Sequence, residues 1–376
     1  MSVPGAFELS RLGSLYVADR DRVALARQRQ RAVWQGQRPD RWPIVCSAPL
    51  TAAQQAIPAA DLRQAFADPD LMLCAQVRAA CGVANAGADG VPSIRGNYGV
   101  GVLLSCLGLG QEVFADRMPW PREHFTREQI ARVTPDDIRV QGTFATGLEF
   151  MRRARQVLGE RLPVYCMDTQ GPLDLAHLLV GDDFFLLMHD DPGLTHHVLE
   201  IALALGIRAH TLMKQIAGEP LAHMHHSNGL YAERMGIRIC EDTTAIISPA
   251  AVDAYAVPYT LRLARHFGGA WMHYCGRSDY LTQVACALPE IRGLNFGHVP
   301  GREHDHVFED DMARCLASGT VYYGAWPRRP GESGRAYLER MHAWAAQGCL
   351  VPSGDASVGA GGFATVDAAL DFWYSL

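Results

Sequence analysis

The chain has 376 residues, 48% of them hydrophobic, and its 34 Lys and Arg against 40 Asp and Glu leave a net charge of −6. That is material for a large core, and it gives no electrostatic reason for a nucleic-acid partner; the densest basic stretch, residues 20–41, is interleaved with Asp and Gln and reads as a solvated helix face. No apolar run reaches the ~18 residues that span a bilayer, residues 1–11 lack a leader pattern, and the ten cysteines stand singly without a C-x-x-C pair, all of which predicts a cytoplasmic protein with mostly buried, inert thiols.

In chain order, residues 1 to about 40 form an N-terminal helical extension, with a helix over 19–36. Strands over 42–47, 91–97 and 164–169 then alternate with helices over 62–81 and 142–158, and two helices follow at 173–179 and 193–217. The second half repeats one unit: strand 237–242 and helix 249–267, strand 270–275 and helix 278–288, strand 293–296 and helix 308–317. It ends with strand 321–325 and helix 333–346, then strand 350–352 and helix 365–374. Asp19, Ser248 before Pro249, Ser278 and Thr365 supply helix caps. Eight strands alternating with helices predict an α/β fold, a (β/α)8 TIM barrel forming one domain over 1–376. A doubly wound sheet is the alternative, but no G-x-G-x-x-G or Walker loop is present, and Gly99-Val100-Gly101 is only a flexible turn.

In a parallel barrel the functional side chains gather at the C-terminal ends of the strands. Polar residues closing the apolar runs are Asp168 and Gln170, Glu241 and Asp242, His273 and Cys275, Asn295, and Asp355 past the last strand. His273 and Cys275, two apart on a strand, project to one face. An imidazole beside a thiol suits a borderline-soft cation such as Zn2+, or else is a half-buried His next to an inert Cys. Asp168, Glu241 and Asp242 are candidates for orienting substrate or for acid and base work, or for complementing the helix N-termini that follow them. His223, His225 and His226 are expected in an exposed polar loop, His304 and His306 on a solvated surface, and His196 and His197 inside a helix.

Several segments in order resemble the uroporphyrinogen decarboxylase superfamily: Arg38-Pro-Asp-Arg-Trp-Pro-Ile, Asp89-Gly-Val-Pro-Ser-Ile-Arg-Gly-Asn-Tyr-Gly, Asp168-Thr-Gln-Gly-Pro-Leu-Asp, Glu241-Asp-Thr-Thr-Ala-Ile-Ile-Ser-Pro, Pro258-Tyr-Thr-Leu-Arg and His273-Tyr-Cys-Gly-Arg. The superfamily includes zinc-dependent corrinoid (cobalamin) methyltransferases that act on thiols, and the resemblance implies a (β/α)8 barrel with its site at the strand ends. His273 and Cys275 match the methyltransferase pattern His-x-Cys-Gly. Where that branch carries a distant third cysteine, this chain reads Pro352-Ser-Gly-Asp355, so the resemblance implies a His273, Cys275 and Asp355 metal set with Glu241 as a further donor. Cys349 lies six residues upstream of Asp355, roughly 20 Å along an extended strand. The decarboxylases bind substrate carboxylates through an Arg-Gln-Ala-Gly-Arg-Tyr segment, whereas Val45-Cys-Ser-Ala-Pro-Leu-Thr-Ala-Ala-Gln-Gln has no cation, and Arg95, Asn97 and Tyr98 stand where an early aspartate is expected.

Three readings follow. The first is zinc-dependent methyl transfer from a methyl-corrinoid, presented by a partner protein, to a thiol or related nucleophile, with Arg95, Asn97, Tyr98, Gln170 and Asn295 binding substrate. The second is a metal-free decarboxylase in which Arg95 holds the acid group. The third is a binding barrel without chemistry.

Overall fold

The computed structural model describes residues 7–297, 306–353 and 362–376. Helix α1 (Arg20–Trp34) begins at Asp19, whose carboxylate accepts the backbone N–H groups of Asp21 and Arg22. The predicted helix over 62–81 divides into α2 (Leu62–Ala67) and α3 (Pro69–Asn85). Asp68 is extended between them, because Pro69 cannot continue α2 yet suits the first turn of α3. Helices α4 (Gly142–Leu158), α5 (Pro172–Val180) and α6 (Pro192–Ala217) follow, and α6 contains His196 and His197.

Next comes an element that corrects the sequence reading. His223, His225 and His226 lie in an antiparallel hairpin, β1 (His223–His226) and β2 (Leu230–Glu233), not in an exposed loop. Ser227 and Asn228 both have positive φ, 47° and 57°, and Gly229 N–H donates to His226 O at 3.1 Å, the geometry a tight hairpin turn demands. Met224, Leu230 and Ala232 of the hairpin join an apolar cluster with Trp34, Trp271, Val321, Tyr323 and Val351. Gln30 ties α1 to it: Nε2 donates to Asp89 O and Gly229 O, and Oε1 accepts Tyr231 N–H.

The sheet follows as β3 (Ile237–Cys240), β4 (Ala270–Cys275), β5 (Ile291–Gly297), β6 (Val321–Gly324) and β7 (Leu350–Pro352). All four pairings are parallel and run in sequence order. Helices α7 (Val257–His266), α8 (Asp279–Ala287), α9 (Phe308–Ser318) and α10 (Gly334–Ala345) make the crossovers, and α11 (Val366–Ser375) closes the chain. The fold is therefore α/β with a parallel sheet, and these five strands lack the reversal of order that marks a doubly wound sheet. The predicted helix over 249–267 is interrupted by a π turn, Val252–Ala256, which ends two residues before Pro258, whose ring nitrogen has no hydrogen to give.

The predicted strands over 42–47, 91–97 and 164–169 do not form ladders. Each has a proline within one residue of its start (Pro43, Pro92 and Pro163), which removes a donor. What remains is single parallel bridges, Val45 to Ser353 and Ile94 to Val164. Isolated backbone bonds continue the series: Val45 N to Pro352 O and Asp89 N to Ile44 O at 2.9 Å, and Gly171 N to Cys240 O at 2.6 Å.

Side-chain alternation sorts the sheet's two faces. Ile237, Ile239, Met272, Tyr274, Leu294 and Phe296 pack in the main core with the helices. Trp271, Val321, Tyr323 and Val351 face the hairpin. Towards the C-terminal ends this second face turns polar, with Arg238, Cys240, His273, Cys275 and Asn295.

Candidate metal centre

The alternation that buries Met272 and Tyr274 on one side of β4 puts His273 and Cys275 together on the other. His273 Nδ1 lies 2.7 Å from Asn295 Oδ1, while Asn295 Nδ2 donates to Tyr323 O at 2.8 Å. The amide oxygen can only accept, so the hydrogen sits on Nδ1 and the Nε2 lone pair faces away. Gly324, at φ 157°, makes room for this: a Cβ there would collide with Asn295 Nδ2. Burial, and then Arg238, push the His273 imidazole below its ordinary range, so it is neutral at pH 7.

Cys275 Sγ is 3.5 Å from His273 Nε2. Asp242 braces the same turn, its Oδ1 accepting Cys275 N–H at 2.6 Å. Cys240, the register partner of His273 on β3, sends its thiol to Asp242 Oδ1 at 3.4 Å. Ligand atoms of Cys240, Asp242 and His273 all lie within 4.8 Å of one another. Burial, reinforced by Asp242, pushes the Cys275 thiol up to about 11, and burial raises Cys240 well above the ordinary thiol range. Both are therefore thiols, not thiolates, at neutral pH unless a cation joins them.

A second polar layer adjoins this one. Asp168 is ion-paired with Arg238 at 2.8 Å and Arg95 at 3.1 Å. Burial alone would raise its carboxyl, yet Arg238 and Arg95 hold it well below the usual range. Two guanidinium groups thus share one carboxylate, and Arg95 Nη1 and Arg238 Nε are buried with no hydrogen-bond partner among the described residues. Each such group costs roughly 1–3 kcal/mol until something pairs with it.

The other predicted residues are placed elsewhere. Glu241 is fully buried, turned to the helix side, and accepts Asp174 N–H at 3.0 Å at the start of α5 and the Thr260 hydroxyl at 3.0 Å. Gln170 donates to Asp174 at 2.9 Å. Tyr98 packs edge-on between Phe66 and Phe150, and Asn97 N–H lies against Met72 Sδ. Asp355 lies outside the described residues.

Residues 25–299 match the uroporphyrinogen decarboxylase (URO-D) family. The chain belongs to that family. Among solved structures, a methyltransferase from Methanosarcina mazei matches with a TM-score of 0.63 at 16% identity, covering 93% of this chain and 98% of that one. At that identity the likeness is one of fold. A comparison with curated proteins found no match. Among the described residues of this URO-D family member, no helix is long and apolar enough to cross a membrane.

Sequence reasoning missed Cys240 and Arg238. Both were within reach of the period-2 rule that paired His273 with Cys275, because Arg238, Cys240 and Asp242 follow one another at the same spacing. It also misplaced His306, which is buried, not on a solvated surface; His304 lies outside the described residues. A neutral imidazole, a carboxylate and thiols form a mixed N, O and S donor set that suits zinc.

Proposed function

We propose that this URO-D family member is a zinc-dependent methyltransferase, passing a methyl group from a methyl-corrinoid on a separate protein to a small thiol or related nucleophile. The observation that carries the reading is the convergence of Cys240, Asp242 and His273, with Cys275 beside them. Three donors among His273 Nε2, the Asp242 carboxylate and the Cys240 and Cys275 thiols would hold the zinc and leave one position for the acceptor, with Asp355 a further candidate. Bound there, zinc would make a coordinated acceptor thiol a thiolate at neutral pH.

The chain's own groups do the rest. Asn295 fixes the His273 tautomer through Nδ1 and so keeps Nε2 directed at the cluster. Asp242 holds the Cys275 backbone in place. Arg95 Nη1 and Arg238 Nε, buried N–H groups without a partner among the described residues, would bind an anionic group of the acceptor. The proposal includes closure of the sheet as an eightfold barrel, supported by the single bonds that continue it through residues 44–45, 89, 94, 163–165 and 171.

The test uses free methylcobalamin as donor, with 3-mercaptopropionate and 2-mercaptoethanol as acceptors. Demethylation should require the enzyme, favour the carboxylated thiol and stop after chelator treatment. Absence of demethylation by zinc-loaded protein, or turnover insensitive to chelator, contradicts the reading; the latter is what a metal-free enzyme would give.

A further inference from the structure

We infer that His306 is a positioning residue for the zinc-binding strand end, holding the turn after Cys275 through a contact between its imidazole and the Gly276 carbonyl. The inference rests on the zinc reading of that strand end.

His306 is 7% exposed and stacks flat on Phe296, with ring centroids 3.7 Å apart and an interplanar angle of 7°. Its Nε2 lies 3.0 Å from Gly276 O. A carbonyl can only accept, so Nε2 carries the hydrogen. On the other side of the ring, Nδ1 faces Asp311 Oδ2 at 3.1 Å, and both side chains are all but removed from solvent. The Nδ1–Oδ2 approach is not a hydrogen bond, so what holds the backbone where β4 ends is the Nε2 N–H on the Gly276 carbonyl. Gly276 has φ 86°, a left-handed bend that reverses the chain directly after Cys275. The turn is braced at two points, by Asp242 on the Cys275 N–H and by His306 on the Gly276 C=O.

Asp279, His306 and Asp311 could also be read as a second cation cluster. Charge argues against that. Asp279 pairs with Arg277 at 2.8 Å, and Arg314 reaches Asp311 at 3.2 Å and Asp279 at 3.6 Å, so both carboxylates are already neutralised. A buried imidazole stacked on Phe296 and donating to the turn that carries a ligand is a support for the metal site.

Zinc affinity, measured by competition with a chromophoric chelator on the full chain, tests this, with far-UV circular dichroism of the metal-free proteins alongside. His306→Phe keeps a ring to stack on Phe296 and removes the Nε2 donor; its zinc affinity should fall about ten- to a hundredfold. His306→Gln restores a donor near the Nε2 position and should recover most of that loss, which a purely structural role would not predict. Wild-type zinc affinity in folded His306→Phe overturns the inference. If His306→Phe does not fold, His306→Leu takes its place: weakened affinity supports the positioning role and unchanged affinity overturns it. Wild-type protein that binds no zinc overturns the zinc reading itself, and this inference with it.

Discussion

At the scale of single residues, the polar end of the sheet is organised by which partner each side chain keeps. His273 is held by Asn295, and Asp168 by two arginines. Removing Arg238 leaves the buried Asp168 carboxylate with Arg95 alone. Arg238→Ala should therefore cost about 3 kcal/mol of unfolding free energy in urea titrations; a loss below about 1 kcal/mol would mean that the Asp168 pair is not buried as described. The shared face of His273 and Cys275 was legible from sequence because a strand's period is fixed at two; Asn295, expected to bind substrate, instead lies against His273 Nδ1. Glu241 was not, since neighbouring strand residues face opposite ways. Asp242 turns to the His273 side while Glu241 turns to α5, and a carboxylate pair read as one unit divides between two environments.

At the scale of elements, Asp174 and Glu241 bind two segments to each other. Glu241 accepts Asp174 N–H at the start of α5, and Asp174 accepts the backbone N–H groups of Asp242 and Thr243, each at 2.8 Å. A Cβ on Gly171 would strike Glu241 Oε1, so a glycine there permits the approach. Burial and the Asp242 charge push the Asp174 carboxyl up to about 7, and burial with Asp174 raises Glu241 well above its ordinary value. Free carboxyls titrate near ~4. Between about pH 4 and 7 the folded chain holds protons that the unfolded chain releases, so this pair's contribution to stability is complete at the acid end and is lost as pH rises. Wild-type Tm should drop more between pH 5 and pH 8 than that of Glu241→Gln, which retains an acceptor. Equal drops would contradict the raised values. The elements with strong alternation were readable in sequence; the three early strands were not, because their prolines leave single bridges where the apolar pattern promises ladders.

At the scale of the whole molecule, the succession of strand and helix in the second half was enough to predict a parallel α/β sheet, and the resemblance pointed to the family. The hairpin over 223–233 was missed because its turn signal, Ser227-Asn228-Gly229, sits among histidines that suggest a polar loop. Its burial against the sheet depends on close backbone passage at Gly236. A Cβ at that position would overlap the backbone oxygens of Leu221 and Phe267. Gly236→Ala should destabilise the chain by about 3 kcal/mol or more, seen as a lower urea midpoint; a neutral effect would contradict the packing of hairpin, β3 and α7.

The zinc content per chain, measured on protein loaded with zinc under reducing conditions and dialysed, tests the metal centre most directly. Wild type should retain about one equivalent, as expected of a single zinc site, and His273→Ala and Asp242→Ala should lose it while remaining folded. Wild-type protein that dialyses free of zinc, or a His273→Ala variant that keeps a full equivalent, would contradict the claim that this strand end is a metal centre.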